Sequence, residues 1–173
     1  MGTIAEAAKI YETFLNGFES AVLDVMKDNS RIIEEYITQQ LYSGLDGNSM
    51  PLRPTYTGDP WFSSADAGRW RGKAEQYMKW KRSITPPARS WLGHPERSAD
   101  TPNLFISGEF YSSIKATPLT DGMSIGSNIP MGGDIERKYG SAIFKPDNKS
   151  VEHFVSHLLK PRLTDYLKKC HIL

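Results

Sequence analysis

Cysteine is almost missing from this chain: Cys170 stands alone among 173 residues. A single thiol excludes an internal disulfide framework and a cysteine-based zinc site. It fits a reducing cytoplasm, and equally a particle assembled there and later released. Long apolar runs are missing too. None approaches the roughly 20 residues that a bilayer-spanning helix needs, so no membrane partner is expected. The N-terminus carries Glu6 and lacks a basic stretch leading into an apolar core, which predicts no signal peptide. Nor is there an excess of charge. The 21 basic and 20 acidic residues leave +1, so bulk charge argues neither for nor against nucleic acid. Internal repeats and low-complexity tracts are absent.

Signatures of catalysis are equally scarce. His153 and His157 stand four apart beside Glu152, a spacing that can put two imidazoles on one metal. The order is not His-Glu-x-x-His, and neither His94 nor His171 has a spacing that completes the set, so a polar helix face is expected instead. Ser43, Ser107 and Ser113 are nucleophiles by type only, because none sits in a Gly-x-Ser-x-Gly elbow. The glycines of 122–126 and 132–133 match neither a Walker loop nor a dinucleotide fingerprint. The expectation is a protein without catalytic residues, metal or cofactor.

What is present suits one domain spanning 1–173, with 39% hydrophobic residues. Ile4, Ala8, Tyr11, Phe14, Leu15, Phe18, Val22, Val25 and Met26 recur at helical steps, predicting a helix over 3–27. Thr3 and Glu6 are placed as its capping box. Asp28-Asn29-Ser30 interrupts the pattern, and Ile32, Ile33, Tyr36, Ile37 and Leu41 give a second helix its apolar side. The pair forms either an antiparallel hairpin or one bent rod. Ser63 or Ser64 can cap a third helix over about 64–82, weakened at Gly68 and Gly72 by ~1 kcal/mol each relative to alanine. Asp147, Asn148 or Ser150 can cap a last helix with Val151, Phe154, Val155, Leu158 and Leu159 on its buried face. Pro161 is expected to break or kink it ahead of a short helical tail.

Between these helices lie two proline-bearing stretches. Residues 42–62 read as an extended arm or hairpin around Asp46-Gly47, and 83–102 as a proline-rich loop. They carry Leu45, Met50, Tyr56, Trp61, Phe62, Trp91 and Leu92. Apolar arms of this kind bury either on a neighbouring subunit or on the domain's own sheet, and intersubunit use is placed slightly ahead. Arg69, Arg71, Lys73, Lys79, Lys81, Arg82, Arg89 and Arg97 are interleaved with Trp70, Tyr77, Trp80 and Trp91. Basic residues among aromatics can track a phosphate backbone and stack bases. The aromatics also fall at helical spacing, which fits packing under lysine and arginine stems. Nucleic-acid or lumen contact by Arg69, Arg71, Lys73, Lys79, Lys81 and Arg82 is therefore carried as a second possibility.

Residues 103–140 hold the most distinctive pattern. Leu104 and Ile106, then Phe110, Ser112, Ile114 and Ala116, alternate with their neighbours. That period predicts strand pairing of about 109–117 with about 122–127 across the Pro118–Gly122 turn. Residues 128–134 read as loop, and 135–140 as a helical turn ended by Gly140.

The run Leu104-Phe-Ile-Ser-Gly-Glu-Phe-Tyr-Ser-Ser-Ile114 resembles the Leu-x-x-Ser/Thr-Gly-x-Leu-x-x-Ser-Ile pattern of tailed-phage virion-morphogenesis and tail-completion proteins. Ile125-Gly-Ser-Asn128 is similar to the Ile-Gly-Thr-Asn that ends their second strand, and Tyr139-Gly140 to the aromatic-glycine pair that follows. The matching positions are Leu104, Ser107, Gly108, Ile114, Ile125, Gly126, Asn128, Tyr139 and Gly140. The likeness covers roughly the C-terminal 70 residues, and Ile135-Glu-Arg-Lys stands where the family has Tyr-Ala-x-x-His. The proline-and-tryptophan middle resembles ring proteins of crAss-like and other Bacteroidales phages. These resemblances imply an α+β fold, a small antiparallel sheet packed by a long N-terminal helix and a C-terminal helix, with extended arms. They imply a non-catalytic homo-oligomeric ring at the phage neck or tail, for head–tail connection or tail completion. Its partners would be other neck, portal or tail proteins and passing DNA. Its location would be the virion, after assembly in the host cytoplasm. A nucleic-acid-binding accessory protein using residues 69–97 is the alternative.

Overall fold

A computed structural model describes residues 4–87 and 90–172. The Thr3–Glu6 capping box and Arg89 lie outside what it describes. The chain opens with α1 (Ile4–Asp28) and α2 (Ser30–Tyr42). Asn29, at φ −113° and ψ 21°, interrupts the helical dihedrals, yet its N–H still donates to the Val25 carbonyl at 3.2 Å. Ile33 N–H donates to the Asn29 carbonyl at 3.1 Å, so α1 and α2 run on as one bent rod. The side chain of Asn29 donates to the Val25 carbonyl at 2.7 Å and holds the bend.

The fold is α+β, with one two-stranded antiparallel sheet. β1 (Ile114–Pro118) pairs with β2 (Met123–Ser127), setting Ile114 opposite Ser127 and Ala116 opposite Ile125. The free edge of β1 lies along α2, where Glu34 Oε1 accepts the Ala116 N–H at 3.1 Å. Covering an edge in this way removes one site of strand addition. Ile37 and Leu41 of α2 meet Leu52, Phe110, Ile114, Ile143 and Phe144 in the main core. Ile33, Tyr36 and Ala116 form a second cluster beside it. Ile37 and Leu41 are completely buried. Each contributes about 1.5–3 kcal/mol from area removed from water.

Residues 104–113 are not a strand. Leu104 (φ +57°) and Gly108 (φ +87°) turn the chain into a short helix, α4 (Glu109–Ser113), before β1 begins. The Tyr111 hydroxyl donates to the Asn103 carbonyl and closes this loop on itself. Gly108 is needed there, because a left-handed φ costs any residue with a Cβ.

The expected helix over 64–82 is in three pieces. Two 3₁₀ segments, Pro60–Ser63 and Ala65–Trp70, precede α3 (Ala74–Ile84). Gly68 (φ +51°) and Gly72 (φ +68°) adopt left-handed dihedrals, so they break the helix and do not merely weaken it. The stretch expected to be loop before Gly140 is helical from Pro130. α5 (Pro130–Tyr139) starts with proline at its first position, where the missing N–H costs nothing. Gly132 lets α5 approach β2, since a Cβ there would collide with the Ser127 side chain. Gly140 (φ +86°) ends the helix, as its position suggests.

The C-terminal rod is also more continuous than expected. Asp147 caps α6 (Asn148–Phe154), its Oδ1 accepting the Ser150 N–H at 2.9 Å. A π-helical segment, Val155–Leu159, then leads into α7 (Lys160–Lys169) without a break. The wide turn relieves the clash that Pro161 would make with the carbonyl four residues earlier.

Candidate functional site

Four surfaces and one buried network carry what functional signal there is. The first surface is α1 itself. α7 runs antiparallel to it, tied by Arg162 to Asp28 at 2.8 Å and by the Tyr166 hydroxyl to the Phe14 carbonyl at 2.8 Å. Gly17 makes room for Tyr166, because a Cβ there would collide with the phenol oxygen. The remaining apolar side chains of α1 stay uncovered: Ile4 is 91% exposed, Tyr11 61% and Leu15 54%. A helix with a whole apolar stripe in water is an interaction surface before it is anything else.

The second surface is an apolar groove of about 240 Å³, walled by Met26, Ile33, Met123, Ile125, Val151 and Phe154. Val151 and Val155, expected on a buried helix face, stand on its rim at 47% and 43% exposure.

The third comprises the two arms, which fold onto their own domain for most of their length. Tyr56 and Phe62 are buried, Leu45, Trp61 and Leu92 half-buried, while Met50 and Trp91 are exposed. Asp46 Oδ1 closes the first turn by accepting the Asn48 and Met50 N–H groups at 2.8 and 2.9 Å. The arms also clasp each other. Asp100 accepts the Thr57 N–H at 2.8 Å and the Thr57 hydroxyl at 2.7 Å. Trp91 Nε1 donates to Glu35 Oε1 at 2.8 Å, and its ring packs on Tyr36 and His153.

The fourth is the basic face. Arg69, Arg71, Lys73, Lys79 and Arg82 are exposed there, with the Arg69 guanidinium 4.8 Å from the centre of the Trp70 ring. Trp70, Tyr77 and Trp80 pack against one another, with Tyr77 also touching Tyr56, Trp61 and Phe62. They are the half-buried roof of a small aromatic core rather than a row of free stacking platforms. Lys81 leaves the group altogether. It is 2% exposed, and among the described residues no carboxylate pairs with it. Burial, with the nearby Arg97 charge adding to it, brings its ammonium down to about 8.

The residues that resemble the phage family spread over the α4–α5 region. Gly108 opens α4, Ile114 begins β1 in the core, and Ile125 and Gly126 lie in β2. Leu104 is half-buried against the core and Ser107 is exposed in the loop before α4. The Asn128 N–H donates to the Ser113 carbonyl at 3.1 Å, and Tyr139-Gly140 ends α5. Together they shape a scaffold and converge on no pocket.

His153 and His157 stack with ring centres 4.3 Å apart. His153 Nδ1 lies 2.8 Å from the Tyr36 hydroxyl, and His157 Nδ1 lies 3.2 Å from the His153 carbonyl. Burial and then the His157 charge push the His153 pKa below its ordinary value. No group of three or more metal-ligating side chains occurs among the described residues.

The buried network is the one constellation that the sequence did not suggest. Ser90 Oγ sits 3.1 Å from His94 Nδ1, and His94 Nε2 sits 2.8 Å from Asp147 Oδ2. Serine, histidine and aspartate in a chain invite a hydrolytic reading. The surroundings assign them elsewhere. The His94 side chain is 0% exposed and both its nitrogens are engaged. Ser90 Oγ already accepts the His94 N–H at 3.0 Å. The second oxygen of Asp147 caps α6 through Ser150. A general base must reach the proton that it abstracts, and this imidazole has no free position from which to do so. Gln40 completes the network, donating to the Lys145 carbonyl at 2.7 Å and accepting the Asp147 N–H at 3.0 Å. The relay latches the 83–102 loop and the start of α6 onto α2. Two histidine–aspartate partners 53 residues apart leave no local pattern to find them by.

No helix among the described residues is long and apolar enough to cross a membrane. Comparisons with protein-family models, with curated proteins and with solved structures return no match.

Proposed function

We propose that this chain is a structural subunit of a phage neck or tail ring, acting in head–tail connection or tail completion without catalysis. The observation that carries the reading is the uncovered apolar stripe of α1, which a self-sufficient monomer has no reason to keep in water. The resemblance of the 104–114, 125–128 and 139–140 segments to tail-completion proteins supplies the phage context. The buried Ser90–His94–Asp147 relay and Gln40 serve architecture, which suits a building block. Ring subunits meet head to tail, so they need two different complementary faces on one chain.

The test is to look for peptides of this chain in purified virions by mass spectrometry, and to map its density in the assembled particle. A ring at the neck or tail is the expected result. Absence of the chain from purified particles overturns the proposal.

A second reading rests on Arg69 over Trp70 within an exposed basic face. It makes the chain a nucleic-acid-binding accessory protein. Strictly monomeric protein that binds single strands with steep salt dependence, and that is missing from virions, is its signature.

A further inference from the structure

The uncovered stripe of α1 and the apolar groove are each without a partner inside the molecule. We infer that they are partners between molecules: α1 of one subunit seats in the groove of the next copy of this chain. The inference rests on the ring reading above and names the contact that would build the ring.

The donor is a ladder on one helix. Ile4, Tyr11, Leu15 and Phe18 are spaced by seven, four and three residues, the repeat by which a helix presents side chains to a groove. The acceptor is the groove walled by Met26, Ile33, Met123, Ile125, Val151 and Phe154, with Val155 extending its rim one turn beyond Val151. Val151 and Val155 in the groove wall face water just as the ladder does.

The two cannot meet within one molecule. Met26 belongs both to the groove and to α1. At 1.5 Å per residue, Phe18 lies about 12 Å, and Ile4 about 33 Å, further along the same helix axis. An unbroken helix cannot turn back on its own base. A second copy is the one molecule certain to be present that carries the matching surface.

The arrangement fixes the kind of contact. Ladder and groove are different surfaces, so the contact is heterologous, and every subunit can give one and receive one. Closure of that pattern yields a ring. The exposed parts of the four ladder residues amount to on the order of 400 Å² of apolar side chain. That is the apolar centre of an interface burying roughly 800 Å² per partner once its polar rim is included.

Two sets of charge insertions test the inference: Leu15→Glu with Phe18→Glu on the ladder, and Val151→Glu with Val155→Glu on the rim. Sedimentation of wild-type protein up to about 100 µM is expected to show self-association, and either set is expected to weaken it at least tenfold. Mixing the two variants should restore a one-to-one complex and nothing larger, because one intact ladder still meets one intact groove. Circular dichroism checks that each variant is folded. An independent arm uses Leu15→Cys with Val155→Cys, which should crosslink between subunits under oxidation. Three outcomes overturn the inference: wild-type protein that stays monomeric at that concentration, oligomers indifferent to both variant sets, or failure of the cysteine pair to crosslink. Each leaves the ring reading standing if the chain is still found in virions, so the two fail separately.

Discussion

Tyr166 donates its hydroxyl to the Phe14 carbonyl at 2.8 Å through a gap that only Gly17 leaves open. A glycine on a helix ordinarily costs about 1 kcal/mol against alanine. Here it lets α7 dock on α1. Gly17→Ala therefore gains helix propensity and loses the docking. Overpacking of this kind costs about 1–3 kcal/mol, so the net expectation is a loss of about 1 kcal/mol. Urea unfolding, with Tyr166→Phe as a companion that removes the obstructing oxygen, measures it. Alanine at 17 should be tolerated better in the double variant.

The neighbouring glycines of α5 make the opposite pair. A Cβ at Gly133 would meet nothing within 4 Å, and a Cβ at Gly132 would strike Ser127. Gly133→Ala should stabilise by up to about 1 kcal/mol, raising Tm by a few degrees. Gly132→Ala should destabilise, because α5 would have to leave the sheet. Thermal melts of the two single variants check the contrast.

Asp147 gives an acid-side prediction. Burial pushes its carboxyl up, but hydrogen bonds from the Ser150 hydroxyl and N–H and from His94, with the His94 charge, outweigh this and hold it below the ordinary 3.8. A carboxylate depressed in the folded state adds stability that is full above its unfolded value and is lost as pH falls through the folded value. Wild-type stability should therefore drop below about pH 4 more steeply than that of Asp147→Asn. At neutral pH, Asp147→Ala removes a helix cap and strands a buried imidazole, at a cost of about 2–4 kcal/mol. Denaturant titrations at pH 3 to 7 separate the two effects.

Lys81 works in the other direction. Its folded pKa of about 8 lies below the ordinary 10.5. Between those values the unfolded chain holds the proton and the folded chain does not, so stability rises with pH across the window. Lys81→Met keeps the buried stem and deletes the charge. It should stabilise the protein at pH 7 by about 1–3 kcal/mol and flatten the rise above pH 8. Urea midpoints at pH 7 and 10 decide it, because an unchanged midpoint at pH 7 would mean that the ammonium is not desolvated.

Long helices were legible in the sequence because their periodicity repeats several times. α1 and α2 show several apolar returns each, and Asp147 announces the start of α6. The 104–113 segment misled because α4 is five residues long and shows no full helical period. Its alternating Leu104, Ile106, Phe110 and Ser112 imitate a strand, while the turn at Gly108 and the Tyr111–Asn103 bond set the true path. α5 was hidden by Gly132-Gly133, which serve close packing rather than a loop. Lys81 shares the sequence signature of its exposed basic neighbours, and only the fold buries it. The Ser90–His94–Asp147 relay joins loop to helix over a distance that no local pattern reports.

The wide turn at Val155–Leu159 also sets how this protein tolerates change in length. A π segment is in effect one residue added to an α-helix, and one residue is about 100° of rotation. That added turn lets a single rod face the groove through Val151 and Phe154, then face α1 through Tyr166. Removing any one residue from 155–159 would restore a regular helix and swing Tyr166 about a quarter-turn away from Phe14. Substitutions in this stretch should be absorbed easily, whereas a one-residue deletion would cut the α1–α7 pairing from more than ten residues away.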